Sequence, residues 1–300
     1  MTDLAYASAR VAARFGARPQ DSDWRRLEVL RALATLLEAA RGTPLGRWTA
    51  GVTAGQDVHA IARVLRGHRR THAAEVIAWM PAPWRPALAW LAVTPDLLAC
   101  AHLASGRPPR PWMRDDVVYR EWLPPDDGVA PGGARATSWR GEGAPDHALA
   151  ALAASDPSAS ATPATCGRWR AEWRRRLPRQ APAQLVVAGD RVAAHFHPRG
   201  AEAAGGSPGT FSGVRFDAQR AEAIATSGEY PRTDHAALSG APAIGPERAA
   251  LTTRLNRLYR RGSSEAAAAF AYLGLALVDF ERLEGELARR VLFADLPLAA

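Results

Sequence analysis

Two histidines have the spacing that most resembles a metal site in this chain. His195 and His197 are two residues apart, so they would lie on one face of a β-strand, where two imidazoles can share an ion. No carboxylate or cysteine is placed to complete a ligand set. We therefore predict a solvated histidine pair, with no bound metal and no other cofactor.

Two aspartate pairs, Asp115-Asp116 and Asp126-Asp127, resemble the paired acids of hydrolytic enzymes. Both flank proline-rich loops and lack a positioned partner, which indicates helix caps and turns instead. The glycine-rich stretch 206–213 lacks the Lys-Ser or Lys-Thr that follows a phosphate-binding loop. A nucleophile elbow, a Cys-His pair in sequence context and a zinc-finger spacing are also missing, so the sequence supports none of these catalytic or metal sites.

The stretch "RWRAEWRRRLPR" at 168–179 interleaves tryptophan with arginine. Exposed aromatic rings that stack on bases, beside arginines that contact phosphates, could bind single-stranded nucleic acid. The other interpretation is a solvated basic helix face, and it is the one we favour. The stretch leaves two alternative functions open, a basic helical nucleic-acid-binding protein or a helical scaffold. Nucleic acid is not a partner that we expect.

Composition points to a folded protein of the cytoplasm. The chain has 300 residues, of which 47% are hydrophobic, enough for a substantial core. Its net charge of +8 favours acidic protein faces, anionic lipid or nucleic acid as partners. Cys100 and Cys166 form no disulfide pattern, and the first residues include an acid and no apolar run, so we expect a reducing compartment and no secretory signal.

Hydrophobic periodicity predicts helices throughout the N-terminal third. Asp21 or Ser22 would cap a long second helix that continues to Gly42, and Asp57 would cap a short third helix that ends at Gly67, with Arg66 near its C-terminus. The predicted helices cover residues 4–16, 21–42, 57–66, 71–80, 86–92 and 95–104.

The C-terminal third predicts two more helices. One runs from Pro246 through Arg260, and a longer one extends from a cap at Ser263 or Ser264 to about residue 292. The uncharged part of the last helix, 266–278, has 13 residues, fewer than the roughly 20 that cross a bilayer. We therefore expect it to be surrounded by protein.

The middle third is less regular. Loop-like stretches at 124–145, 198–213 and 227–246 divide the chain. Between them we predict an alanine-rich helix near 146–154 and a basic helix over 167–179. Residues 184–197 leave two alternatives open, a short β-hairpin around Gly189-Asp190 or a helix.

Two distant stretches share one pattern. Asp57 and Asp279, which are 222 residues apart, are each followed by apolar residues at positions +1, +4 and +8. Because 222 is twice 111, the spacing invites three repeated units of about a hundred residues. The division we predict is an N-terminal helical unit at 1–113, a divergent middle unit at 114–213 and a C-terminal helical unit at 214–300.

Three stretches together resemble the central-stalk subunit of V-type and archaeal-type ATPases, which is designated C in bacteria and archaea and d in eukaryotes. "AYASARVAARFG" is similar to the family's Tyr-x-x-Ala-Arg opening, "DVHAIARVLRGHRR" to its Asp-capped helix, and "AFAYLGLALVDFERLEGEL" to its closing Ala-Tyr-Leu helix. The likeness covers roughly 1–113 and 246–293. The matching positions are Tyr6, Ala9, Arg10, Asp57, Arg66, Tyr272, Leu273 and Asp279.

The resemblance implies an all-α, funnel-like protein of three pseudo-repeated helical units. Such a protein is not an enzyme; it couples the shaft of the ATPase head to the membrane rotor ring during proton or sodium transport. The implied partners are the central-shaft subunits and the proteolipids of the ring, and the positive charge would also suit an anionic membrane surface. The implied location is peripheral, on the cytoplasmic side of the membrane.

Overall fold

The structure is a computed structural model that describes residues 4–104, 108–120, 161–196, 244–262 and 266–293. Over these ranges the chain is predominantly helical and has no β-strand, which confirms the all-α prediction. The helices are α1 Leu4–Gly16, α2 Asp21–Glu28, α3 Leu33–Arg41, α4 Val58–Trp79, α5 Arg85–Ala92, α6 Leu97–Ala104, α7 Pro111–Asp115, α8 Val117–Arg120, α9 Ala161–Arg176, α10 Ala183–Phe196, α11 Ile244–Arg261 and α12 Ala266–Leu292. Short 3₁₀ helices lie at Pro44–Arg47, Ala82–Trp84 and Thr94–Asp96.

The chain divides into two compact units, each assembled from separate stretches. The first unit comprises Met1–Ala12, Arg70–Arg199 and Arg254–Leu275, and the second comprises Ala13–Arg69, Gly200–Thr253 and Ala276–Ala300. The division into sequential units at 1–113, 114–213 and 214–300, and the funnel of repeats, stay predictions, because most of 121–243 lies outside the described residues.

The second unit has a core of leucines and large aromatic rings. Large apolar residues recur at three-to-four spacing in α2 and α3, so each helix has an apolar stripe that joins one buried cluster with Leu283 and Leu287 of α12; the stripes are Trp24 and Leu27, and Leu33, Leu36 and Leu37. Trp48, just after the 3₁₀ helix, stacks on Phe280 with ring centroids 4.2 Å apart. Ile61 of α4 joins the same cluster. Burying these side chains supplies the main stabilisation of the unit.

The first unit is organised around buried tryptophans. Trp90 of α5 and Trp169 of α9 exchange hydrogen bonds: Trp90 Nε1 donates to the Trp169 carbonyl at 2.8 Å, and Trp169 Nε1 donates to the Trp90 carbonyl at 3.1 Å. Trp173 stacks against Trp169 and meets Phe270 of α12 edge-on. Both indole donors of the exchange are thereby satisfied away from water. The first half of α12 is buried, as predicted.

Two helix boundaries differ from the predicted ones. The helix expected over 21–42 is two helices, because α2 ends at Glu28 and α3 begins at Leu33, although no glycine or proline marks the break. Conversely, α4 passes through Gly67 and continues to Trp79, so the predicted stop is wrong and Arg66 lies within the helix. A side chain added at Gly67 would meet no atom within 4 Å, so the residue costs only helix propensity there.

The β-hairpin alternative at 184–197 is wrong, since α10 covers Ala183–Phe196. Gly189, which suggested a turn, is instead needed for close packing: a Cβ there would lie 2.3 Å from the ring of Trp173. Asp190 is also helical, and it accepts a hydrogen bond from Arg174 of α9 at 3.0 Å. The predicted alanine-rich helix near 146–154 falls outside the described residues.

Replacing Gly189 should test this packing. We expect Gly189→Ala to lower the free energy of unfolding by about 1 to 3 kcal/mol, because the added methyl group overlaps the Trp173 ring. Gly67→Ala is the matched control, and it should raise stability by about 0.5 to 1 kcal/mol, because α4 has open space there. Urea denaturation followed by circular dichroism measures both, and equal effects would contradict the described contact.

Candidate functional site

The opening motif lies on α1. Tyr6 is 51% exposed, Ala9 is exposed, and the Arg10 guanidinium lies over the ring of Trp79 at 5.2 Å from its centroid. Ala7 and Val11, on the other face, are buried. The motif therefore combines an inward apolar face with an outward tyrosine and an arginine held by a cation–π contact.

The middle motif begins with a helix cap. Asp57 Oδ1 accepts the backbone N–H of Ala60 at 2.7 Å at the start of α4, as predicted. Arg66 lies on the buried side of the same helix, about two and a half turns further along. The Asp57 carboxylate also complements the positive, N-terminal end of the α4 dipole.

The closing motif contributes buried residues of α12. Leu273 is fully buried, and so is Tyr272, whose hydroxyl is hydrogen-bonded to His72 Nε2 of α4 at 2.9 Å. A buried phenol without a partner would destabilise the fold, so this contact fixes the register of α12 against α4 in the first unit. No sequence pattern singles out His72 for this role.

Asp279 forms a buried ion pair in the second unit. Arg18 Nε donates to Oδ2 at 2.6 Å and Arg18 Nη2 donates to Oδ1 at 3.2 Å, a two-pronged arrangement typical of arginine and carboxylate. Burial raises the pKa of Asp279, and Arg18 opposes that rise. Desolvation of the carboxylate is thus the main unfavourable contribution, and Arg18 offsets part of it.

Arg282, one turn further along α12, anchors α2. Its guanidinium donates to the carboxylate of Glu28 and lies over the ring of Trp24, 4.5 Å from the centroid. One arginine thereby combines an ion pair with a cation–π contact on the same helix.

Arg290 explains the break between α2 and α3. Its Nη2 donates to the Leu27 carbonyl at 2.8 Å, and its Nε donates to the Leu30 carbonyl at 2.8 Å. Nη1 also pairs with Glu286 at 2.7 Å. The Leu27 carbonyl also accepts the Leu30 N–H at 3.1 Å, so the buried guanidinium adds a second donor there and supplies a donor to the Leu30 carbonyl just after the helix end.

The two stretches that suggested a repeat have different environments. Asp57 is exposed at a helix start, whereas Asp279 is buried inside α12 and paired with Arg18. Their apolar stripes nevertheless reach one cluster, since Ile61 and Leu65 pack in the same core as Phe280 and its neighbours. The shared pattern thus reflects two stripes that face a common core.

A second buried charge cluster, which the sequence did not indicate, lies in the first unit. Arg70 Nη1 donates to Asp116 at 2.7 Å and Nη2 lies 3.8 Å from Asp96. The Tyr119 hydroxyl donates to Asp96 at 2.9 Å. Burial alone would lower the pKa of Arg70, but the two carboxylates outweigh it and raise that pKa. The residues link α4, the Thr94–Asp96 turn and α8.

The predicted aspartate cap is confirmed at Asp116, which also accepts the Val118 N–H at 3.1 Å at the start of α8. Asp115 is exposed at the end of α7, and Asp126-Asp127 lies outside the described residues, as do the glycine-rich stretch and His197. His195 is on α10, a helix and not a strand. In the described ranges, no group of three or more His, Cys, Asp or Glu could hold a metal ion.

The tryptophan–arginine stretch is a helix whose rings face inward. Trp169 and Trp173 are buried in the first unit, so neither is available to stack on a nucleic-acid base. Glu172 pairs with Arg175 and Arg176, and its hydrogen bond with Arg175 lowers its pKa. The stretch therefore buries its tryptophans on one face of α9 and carries ion-paired, solvated residues on the other face.

No helix among those described is both long and apolar enough to cross a membrane. Comparison of the chain with protein-family models, with curated proteins and with solved structures gives no match.

The pairing of Arg18 with Asp279 can be tested by a double-mutant cycle. Arg18→Met should lower the free energy of unfolding by roughly 3 to 5 kcal/mol, because it leaves a buried carboxylate without its counter-ion. Arg18→Met/Asp279→Leu should be close to the wild type, because it removes both charges. Urea denaturation measures each variant, and an equally large loss in the double variant would contradict the pairing.

The same variant has a defined pH dependence. Without Arg18, the pKa of Asp279 should rise further above its unfolded value, so the folded protein binds the proton more tightly. The deficit of Arg18→Met relative to wild type should therefore shrink as the pH falls through that raised pKa. Unfolding curves at several pH values measure it, and a deficit that grows towards acid would show that the sign is wrong.

Arg290→Met should destabilise the second unit by roughly 3 kcal/mol, because it removes the buried charged donors to the Leu27 and Leu30 carbonyls at the break between α2 and α3. Arg41→Met is the control: Arg41 forms an ion pair with Glu38 but is 74% exposed, so its loss should cost less than about 0.5 kcal/mol. Thermal unfolding of both compares them. Similar shifts would mean that Arg290 does not hold the end of α2.

Proposed function

We propose that this chain is the central-stalk subunit of a V-type rotary ATPase, of the C or d type. In this role it is non-catalytic: it sits on the cytoplasmic face of the membrane rotor ring, receives the tip of the shaft of the ATPase head and passes torque between them. The proposal rests on the resemblance of three stretches, at 5–16, 57–70 and 269–287, to motifs of that family, in the family's order and spacing.

The main observation in support of the proposal is that these motif residues have structural roles. Asp57 caps a helix, Tyr272 and Asp279 hold buried polar contacts, and Leu273 fills the core. Motifs whose residues stabilise helices and their packing suit a protein that transmits force. An adaptor between two bodies needs stiffness and broad interfaces, and it needs no reactive group.

Buried ion pairs suit such a part. Arg18–Asp279 and Arg70–Asp116 each join elements far apart in sequence, and each is shielded from water, where salt screens it little. A small displacement that separated either pair would leave a buried charge without its counter-ion. The pairs therefore strongly oppose relative movement of the elements that they join. This resistance favours a rigid body over a flexible binding module.

The test is affinity capture of the tagged full-length chain from gently solubilised membranes of its own organism, followed by mass spectrometry. We expect the nucleotide-binding hexamer, the shaft subunits and a small proteolipid to be recovered together. Leu36→Asp is the matched control: Leu36 is fully buried, so this variant loses the fold but keeps nearly the same positive charge. Recovery should depend on the fold.

Two outcomes would refute the proposal. One is a set of captured proteins that contains no rotary ATPase subunit. The other is recovery of the same proteins by Leu36→Asp, which would show that the basic chain adsorbs them without its structure. Nuclease-sensitive capture of nucleic acid alone would instead favour the nucleic-acid-binding alternative.

A further inference from the structure

Helix α11 carries a stripe of arginines on its outer face. Arg254, Arg257 and Arg261 follow one another at spacings of three and four residues, so they lie on one side of the helix, and all three are exposed. On the adjacent side of the helix, about a quarter-turn round, Leu255 and Leu258 are buried. Leu255 packs against Gly274 of α12, where the missing side chain admits it. We call these three arginines the α11 arginine stripe.

The stripe is not neutralised within the described part of the chain. None of its members forms an ion pair with another described residue, whereas Arg18, Arg70, Arg282 and Arg290 all do. The one acid of α11 is Glu247 in its first turn, two turns before the stripe begins. Arg260, next to Arg261, is exposed as well. Three or four positive charges are thus left facing water over about 10 Å of helix.

We infer that the α11 arginine stripe binds the anionic headgroups of a membrane surface. The choice of lipid over other polyanions rests on the proposed function, which seats the chain beside a membrane. Arginines close to an anionic leaflet each add to the attraction, and guanidinium groups bind phosphate through two hydrogen bonds. Headgroups of a fluid leaflet can rearrange to meet side chains whose spacing is fixed by the helix.

The helix binds at the surface and does not insert. Its leucines, Leu251, Leu255 and Leu258, are already buried in the protein, so they are not free to enter the acyl chains. The contact is therefore electrostatic and depends on salt, since charges at the surface are screened beyond roughly 8 Å at physiological ionic strength. Such a contact holds the chain to the membrane loosely enough to let it turn.

A nucleic acid fits the stripe less well. Binding of single strands needs exposed aromatic rings beside the arginines, and the one aromatic residue of α11, Tyr259, is partly buried and lies on the side of the helix away from the stripe. The tryptophans that alternate with arginine in α9 are buried. The stripe thus offers charge without base-stacking groups.

Co-sedimentation of the full-length chain with lipid vesicles tests the inference. We expect binding to vesicles of phosphatidylglycerol and phosphatidylcholine, little binding to pure phosphatidylcholine, and steep loss of binding with added salt. The triple variant Arg254→Gln/Arg257→Gln/Arg261→Gln should bind anionic vesicles roughly a hundredfold more weakly. These side chains are exposed, so the variant should keep the wild-type circular dichroism spectrum and melting temperature.

Arg25→Gln/Arg26→Gln/Arg31→Gln is the matched control. It removes the same charge from exposed arginines that lie among Asp21, Asp23 and Glu28, and it should bind within about twofold of wild type. Equal loss in both triple variants would overturn the inference, because net charge alone would then explain binding. So would tighter binding to duplex DNA than to anionic vesicles, if the α11 variant abolished it.

The outcome is separable from that of the capture experiment. Vesicles carry no ATPase subunits, so failure to bind them would remove the lipid contact and leave the coupling role standing. Vesicle binding without recovery of ATPase subunits would refute the coupling role instead.

Discussion

The structure depends on the burial of α12. The first half of this helix is enclosed by protein, so any polar group it carries must find its partner inside the fold. Tyr272 meets His72 in the first unit, and Asp279 meets Arg18 in the second. Burying either group without its partner would destabilise the fold. With its partner, each group fixes the position of α12 against the segment that carries that partner. Apolar packing supplies most of the free energy, and these contacts select the alignment.

The same constraint shapes the neighbouring helices. Arg290 is buried, and a guanidinium needs acceptors, which it finds in carbonyls that a continuous helix over 21–42 would have used itself. The break between α2 and α3 and the burial of Arg290 therefore depend on each other. Because Arg290 and those carbonyls are more than 250 residues apart in sequence, their contacts form only when both ends of the chain have come together. We expect them to form late in folding.

Arginine has two roles in this protein, decided by its surroundings. Inside, Arg18, Arg70 and Arg290 are matched by carboxylates or carbonyls and act as connectors. Outside, the α11 arginine stripe has no such match among the described residues. The chain contains no lysine, so composition alone cannot separate these roles. The proposed coupling function uses both, one for rigidity and one for contact with a charged surface.

The sequence by itself determined the helical class, the N-cap at Asp57 and the buried stripe of α12, because hydrophobic periodicity and capping are local properties of a chain. It predicted none of the partners of the buried polar groups. The break after Glu28 and the close packing at Gly189 were decided by tertiary contacts: Arg290 supplied donors, and the Trp173 ring occupied the space that a side chain at 189 would need. A local sequence pattern reflects the backbone conformation that a residue prefers. These outcomes depend instead on which residues, distant in sequence, contact that position in the folded protein.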